Sequence, residues 1–126
     1  VTCVSMGNPH CVTFCDRIDT LPLRELGPAF ENAPEFPERV NTEFVRVVNP
    51  VTLKMRVFER GNGETFACGS GACAAVVAAV ENGYCEKDRD ITVKVRGGIL
   101  TVRYTTDGVV TLTGDAKLIF TGEVRY

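Results

Sequence analysis

Apolar and polar residues alternate with period two along much of this chain, the signature of strands with one buried face. Val1-Thr2-Cys3-Val4-Ser5 alternates in this way. Met6-Gly7-Asn8-Pro9-His10 interrupts the pattern, and residues 11–15 resume it. Asn8-Pro9 is a turn signal, because proline drives the residue before it out of the helical region. The turn reads first as a plain hairpin connection and, as the alternative, as an Asn8–His10 polar pair held at a sheet rim. Residues 42–48 are rich in β-formers, and residues 51–58 put Val51, Leu53, Met55 and Val57 on one face with Thr52, Lys54 and Arg56 on the other. Asn49-Pro50 between them predicts a hairpin. Further strands are expected at 91–95, 99–104, 109–113 and 117–120, with Gly97-Gly98 and Asp107-Gly108 as turns.

Two segments follow other rules. Leu23, Leu26 and Phe30 form a helical stripe, with Thr20 as the expected N-cap and Pro22 in the first turn. Residues 31–39 carry Pro34 and Pro37 and read as loop. Residues 71–80 are apolar on every side, which predicts a helix buried all round, stopped by Asn82-Gly83. Strands on both sides of such a helix in the sequence imply an α+β fold: a mixed or antiparallel, barrel-like sheet wrapped around a central buried helix. The chain opens in mid-strand without methionine, so residues 1–126 read as the C-terminal piece of a longer protein.

Composition narrows the functional classes. The 126 residues suit one domain, with no internal linker or repeat. A net charge of -2 and a pI near 5.4 leave no electrostatic footprint for nucleic acid or an anionic membrane. No apolar run is long enough to span a bilayer, and no signal-peptide pattern opens the chain. The six cysteines are read as reduced thiols in a cytoplasmic setting. No metal site is expected, since Cys11-x3-Cys15 and Cys68-x4-Cys73 are not matched knuckles and His10 is the sole histidine.

The candidate chemistry lies in residues 59–72, where four glycines, Glu59, Glu64, Arg60 and Cys68 precede the apolar helix. If the helix starts at Gly69 or Ser70, Cys68 meets its unpaired amides and about half a positive charge. Such cysteines can have a pKa lowered to about 3.5–7.5, so a stabilised thiolate is expected. Gly69 and Gly71 leave the same amides open to an anion, and Ser70 adds a hydroxyl. Cys73, among alanines within the helix, reads as inert. Glu59-Arg60 closes a strand and points into the loop, whereas Glu64 reads as either a site carboxylate or a solvated charge. No lysine follows the glycines, so this is no phosphate loop of the Walker type. Lys54 lies on a strand with no other lysine near, which disfavours a pyridoxal phosphate Schiff base.

Four motifs in order, Ser5-Met6-Gly7-Asn8-Pro9-His10, Arg39-Val40-Asn41-Thr42-Glu43-Phe44, Glu59-Arg60-Gly61-Asn62-Gly63-Glu64-Thr65 and Ala67-Cys68-Gly69-Ser70-Gly71-Ala72-Cys73-Ala74, resemble the diaminopimelate epimerase family. The ending from Thr113-Gly114-Asp115-Ala116 to Phe120-Thr121-Gly122-Glu123 is similar as well. The resemblance covers this chain but only the C-terminal half of the family's protein. It implies a cofactor-independent epimerase interconverting LL- and meso-diaminopimelate, with two similar domains and the substrate between them. It also implies a homodimer in the intact form. By position Cys68 matches one of two catalytic cysteines, and Asn8, Asn41, Glu59, Arg60, Gly69 and Ser70 match substrate-binding positions. His10 and Glu59 match positions that tune the thiols. Ser70 stands where threonine is common and Asp115 where proline is usual; Ser70 keeps the hydroxyl.

Inverting a carbon centre without a cofactor needs a base on one face and an acid on the other. Cys68 supplies one, and the second is expected from the absent N-terminal domain; Cys11, beside His10, is the only internal candidate. Three rival readings remain open at this point. One is a proline racemase-like or phenazine-pathway isomerase-like protein, against which the full motif set argues. Another is a thiol hydrolase with Cys68 as nucleophile and His10 as base. The last is a non-catalytic binding domain. An uncovered apolar face is expected to make the half self-associate.

Overall fold

The computed structural model describes residues 1–115 and 118–125. The strands are β1 (Thr2–Ser5), β2 (Pro9–Phe14), β3 (Asn41–Asn49), β4 (Thr52–Glu59), β5 (Gly63–Thr65), β6 (Asp90–Val95), β7 (Gly98–Tyr104) and β8 (Val110–Thr113). The helices are α1 (Leu23–Glu31) and α2 (Gly69–Glu81). One mixed sheet runs in the order β1-β2-β3-β4-β6-β7-β8, with β5 paired to β4 off this path. The β2–β3 and β4–β6 pairs are parallel and bridged by segments containing α1 and α2 respectively; the other pairs are antiparallel.

Period two divides this sheet between two helices. Val12, Val45, Met55 and Val57 point toward α2 and pack on its alanines, while Phe44 and Phe58 point away and join Ile18 and Leu23 under α1. Strands β2, β3 and β4 are therefore buried on both faces, which is why residues 42–48 show no clean alternation. Helix α2 packs against β1, β2, β3, β4, β7 and β8. Its small residues permit that close approach: Gly71 to Val76, Ala78 and Ala79 are all buried.

Several expectations are corrected. Thr20 does not cap α1; residues 18–21 form a turn closed by Leu21 N–H to the Ile18 carbonyl, and Pro22 takes the cap position without a side-chain bond. Arg56, expected on a polar outer face, is buried. The strand expected at 117–120 does not form over its described part: Lys117 lies outside the described residues, and Leu118, Ile119 and Phe120 are exposed and unpaired with the sheet. The helical stripe of α1 is as expected, and Phe30 meets Phe44 edge-on with ring centroids 5.5 Å apart. Asn49-Pro50 joins β3 to β4 as a hairpin.

Candidate active site

The site assembles because alternation carries polar residues onto the α2 side of the sheet at one end. His10 lies two residues before Val12 on β2, Asn41 and Glu43 precede Val45 on β3, and Glu59 follows Val57 on β4. All four therefore share the face that packs on α2. In the parallel β2–β3 pair, His10 registers with Asn41 and Val12 with Glu43. The N-terminus of α2 meets this cluster.

Cys68 is the N-cap residue of α2, with extended backbone, and its sulfur accepts the Gly71 N–H at 3.4 Å. Ser70 Oγ lies 3.6 Å from the same sulfur and accepts from Asn8 Nδ2 at 3.3 Å. Asn8 Oδ1 lies 3.0 Å from His10 Nε2, and His10 Nδ1 lies 2.6 Å from Glu43 Oε1. One hydrogen-bonded chain thus runs from buried Glu43 through His10, Asn8 and Ser70 to the half-buried Cys68 thiol. The turn carrying Asn8 is tightened by the Met6 N–H on the Asn8 carbonyl and by Gly7 at φ 88°. The hairpin reading and the polar-pair reading of this turn both hold.

The remaining motif residues tie the rim together. Asn41 Nδ2 donates to the Pro9 carbonyl at 3.0 Å, and its Oδ1 accepts the Arg60 N–H at 2.7 Å. Thr65 Oγ1 donates to Glu59 Oε2. The Arg60 guanidinium reaches the Glu38 carbonyl at 3.3 Å. Gly69 lies under Leu112, one of whose methyls would be 2.9 Å from an added Cβ. Gly71 is glycine for want of space: a Cβ there would lie 2.7 Å from Glu43 Oε1 and 3.2 Å from the Cys68 sulfur. Glu64 is structural. Its oxygens receive Arg56 Nε at 2.9 Å and Nη2 at 3.1 Å, while Arg96 lies at 3.2 Å.

The acidity expected of Cys68 is corrected. Burial pushes its thiol above the ordinary value, Glu59 and Glu43 add repulsion, and the Ser70 and Gly71 hydrogen bonds pull the other way. The helix terminus does supply a donor to the sulfur, but desolvation and two carboxylates outweigh it. Glu43 is likewise raised, chiefly by burial, with the His10 hydrogen bond opposing. Cys11 fails as the second thiol. It alternates with His10 toward the α1 side, is fully buried, and is pushed up to about 11 by desolvation. His10 does not pair with Cys68, since both ring nitrogens are engaged and Asn8 and Ser70 intervene.

Sequence reasoning overlooked Glu43 as a site residue, although it lies in a quoted motif. Its signal was a carboxylate inside a run of β-formers, where an ionised side chain has no reason to be unless partnered. All six cysteines are free thiols. Among the described residues no group of three or more His, Cys, Asp or Glu side chains could hold a metal, and no helix is long and apolar enough to cross a membrane.

Solved structures share this architecture. A phenazine biosynthesis protein of the PhzF family from Bacillus anthracis is 26% identical with a TM-score of 0.59, over 85% of this chain and 34% of that one. A predicted epimerase from Pseudomonas aeruginosa, 17% identical with a TM-score of 0.57, matches 91% of this chain and 44% of its own, and shares the fold. The class is thus an α+β domain with a curled mixed sheet. Sequence relatives narrow it. A family model described as diaminopimelate epimerase matches residues 2–119. Diaminopimelate epimerases from Synechococcus elongatus and Bacillus cytotoxicus are 54% and 50% identical over 125 residues, each alignment covering 99% of this chain. The chain belongs to the diaminopimelate epimerase family. It spans 44% of the Synechococcus protein's length and 43% of the Bacillus protein's.

Proposed function

We propose that this chain is the C-terminal half of a cofactor-independent epimerase that interconverts LL- and meso-diaminopimelate. Cys68 acts on one face of the α-carbon, and a second thiol from an N-terminal domain acts on the other. The observation that carries the reading is the thiol at the N-cap of α2, among the motif residues of the family. The amides of Gly69 and Ser70, at the first two helical positions, have no acceptor among the described residues. They are suited to a substrate carboxylate. Asn8, Asn41, Glu59 and Arg60 border the same place, and His10 and Glu59 tune the thiol. Exposed Phe66, Ile99 and Leu112 near the loop support cover by another domain.

The chemistry balances without a redox partner. One thiolate takes the α-proton as the C–H bond breaks and an S–H bond forms. The opposite thiol then gives its proton to the carbanion, leaving a thiolate on that side. A thiol made less acidic by burial suits Cys68 to begin as the protonated donor in one direction and to serve as base in the other. Positioning and matched acid–base groups are the sources of rate in such a scheme. The intact form is read as a homodimer acting in the cytoplasm, and the isolated half as self-associating; light scattering across concentrations tests the latter, and a constant monomeric mass contradicts it.

The decisive test is α-proton exchange in heavy water, followed by NMR with LL-diaminopimelate. The 126-residue chain alone is expected to give no exchange. The longer protein with both halves is expected to exchange and to lose this on Cys68→Ala. Epimerisation by the chain alone would refute the two-domain division of labour. A burst with an activated ester would instead favour a thiol hydrolase.

A further inference from the structure

We propose that Glu43 is a positioning residue that, through His10 and Asn8, aims the Ser70 hydroxyl proton at the Cys68 sulfur. Glu43 and His10 are both fully shielded from solvent at their side chains. The argument is a count of protons along the hydrogen-bonded chain. His10 Nε2 faces the Asn8 carboxamide oxygen at 3.0 Å, and a ring nitrogen meets such an oxygen only by donating. Nε2 therefore carries hydrogen. His10 Nδ1 faces Glu43 Oε1 at 2.6 Å, so the ring and the carboxyl share a second proton across that contact.

Direction then propagates outward. With its oxygen occupied, Asn8 turns its amide group to Ser70 and donates to Oγ at 3.3 Å. A hydroxyl that has accepted one bond retains its own hydrogen to give, and the Cys68 sulfur lies 3.6 Å away. Each donor in the series points toward the thiol. The sulfur thus receives two hydrogens when ionised, from Ser70 and from the Gly71 amide at 3.4 Å. Without Glu43, a neutral ring could place its hydrogen on Nδ1. Asn8 would then invert, and Ser70 would spend its hydrogen on the Asn8 oxygen.

Other groups face the thiol and set the opposing push. They are Glu59 from the end of β4 and Glu43 itself from β3; Cys73 of α2 is close enough that Cys68 raises its thiol in turn. Their presence makes the sign of one substitution diagnostic. Glu43→Gln keeps the shape and removes a charge. A carboxylate acting directly on Cys68 predicts a more acidic thiol once removed. A carboxylate acting through the chain predicts a less acidic one, because charge-assisted bonds become neutral ones of roughly half the strength. Among the described residues Glu43 Oε2 has no hydrogen-bond partner, so Oε1 is the oxygen that engages His10.

The proposal deepens the reading of Cys68 as a proton-transferring thiol, and its test reads the thiol without substrate, so the two can fail separately. Alkylation of Cys68 by iodoacetamide, followed residue by residue by mass spectrometry from pH 6 to 11, gives its midpoint. Glu43→Gln is expected to move the midpoint upward by roughly half a unit. In a Ser70→Ala background, the same substitution is expected to give no upward shift. A downward or absent shift in the first case, or an upward shift that survives in the second, overturns the proposal. A further measurement needs no variant, because His10 is the sole histidine. Nitrogen-15 NMR at neutral pH is expected to find a bonded hydrogen on Nε2. A bare Nε2 would overturn the proposal.

Discussion

Replacing Gly27 by alanine separates two effects of opposite sign. Gly27 is buried inside α1 and has an ordinary helical backbone, so helix propensity alone predicts that alanine stabilises by about 1 kcal/mol. Space predicts the reverse. An added Cβ would lie 2.3 Å from both Cδ2 and Cγ of Phe58 and 2.5 Å from Cε2. The ring lies against α1 at Gly27, and it sits in the cluster formed with Ile18, Leu23 and Phe44. Either the ring or α1 must move by about an ångström. Overpacking of this kind costs about 3 kcal/mol, the upper part of the usual range. The balance is a loss of about 2 kcal/mol, or about 8 °C in melting temperature for a domain of this size. Urea unfolding of the chain is the assay. A double-mutant cycle adds specificity: Phe58→Leu should be less damaging in the Gly27→Ala background than alone, because it relieves the clash. A Gly27→Ala chain as stable as the parent would refute the packing argument. Phe58 precedes Glu59, so the same contact fixes where the site carboxylate leaves β4.

Two further outcomes follow from the same structure. Arg56→Ala should destabilise by about 3 kcal/mol in urea, because it strips buried Arg56 bonds from Glu64 and from the Ile18 and Leu21 carbonyls; Arg56→Lys should recover only part, since it cannot supply the planar fork. Alkaline pH should also weaken the fold. Cys11 is raised from 9.0 to about 11, so the folded state holds its proton after the unfolded state has released it. Stability from this thiol is complete below pH 9, declines between pH 9 and about 11, and levels off above. Urea midpoints measured from pH 8 to 11 should fall, less steeply in Cys11→Ala; an equal slope in both would contradict this assignment.

What could be read from the residues depended on how local its cause was. The alternation in residues 51–58 and the all-apolar run after Ser70 each fix an element without outside help, and from them came the sheet and the enclosed helix. The thiol at the head of that helix was legible too, because glycines and a cysteine before an apolar run describe a helix terminus. Its acidity was not. That sign depends on Glu59 and Glu43 arriving from other strands and on how much water the packed sheet excludes. Glu43 itself was hidden because its partner His10 lies 33 residues away, joined only by the parallel pairing of β2 with β3. Cys11 misled for a related reason. Adjacency to His10 in sequence places the two side chains on opposite faces of a strand, so the nearest thiol along the chain points away from the site. Thr20 looked like a cap because nothing local announces the turn that displaces it.

The setting of α2 has a consequence for how this site can be lost. Strands from both ends of the sheet pack against its alanines, so the helix cannot unwind or tilt without parting from them. Amides such as those of Ala74, Ala75, Ala78 and Ala79 should then exchange with heavy water only through opening of the entire domain. Cys68 is attached to the first turn of that slow-exchanging body. The thiol has no loosened intermediate setting in which the domain persists while its sulfur is misplaced, and heat or denaturant should remove the site and the fold in a single cooperative step.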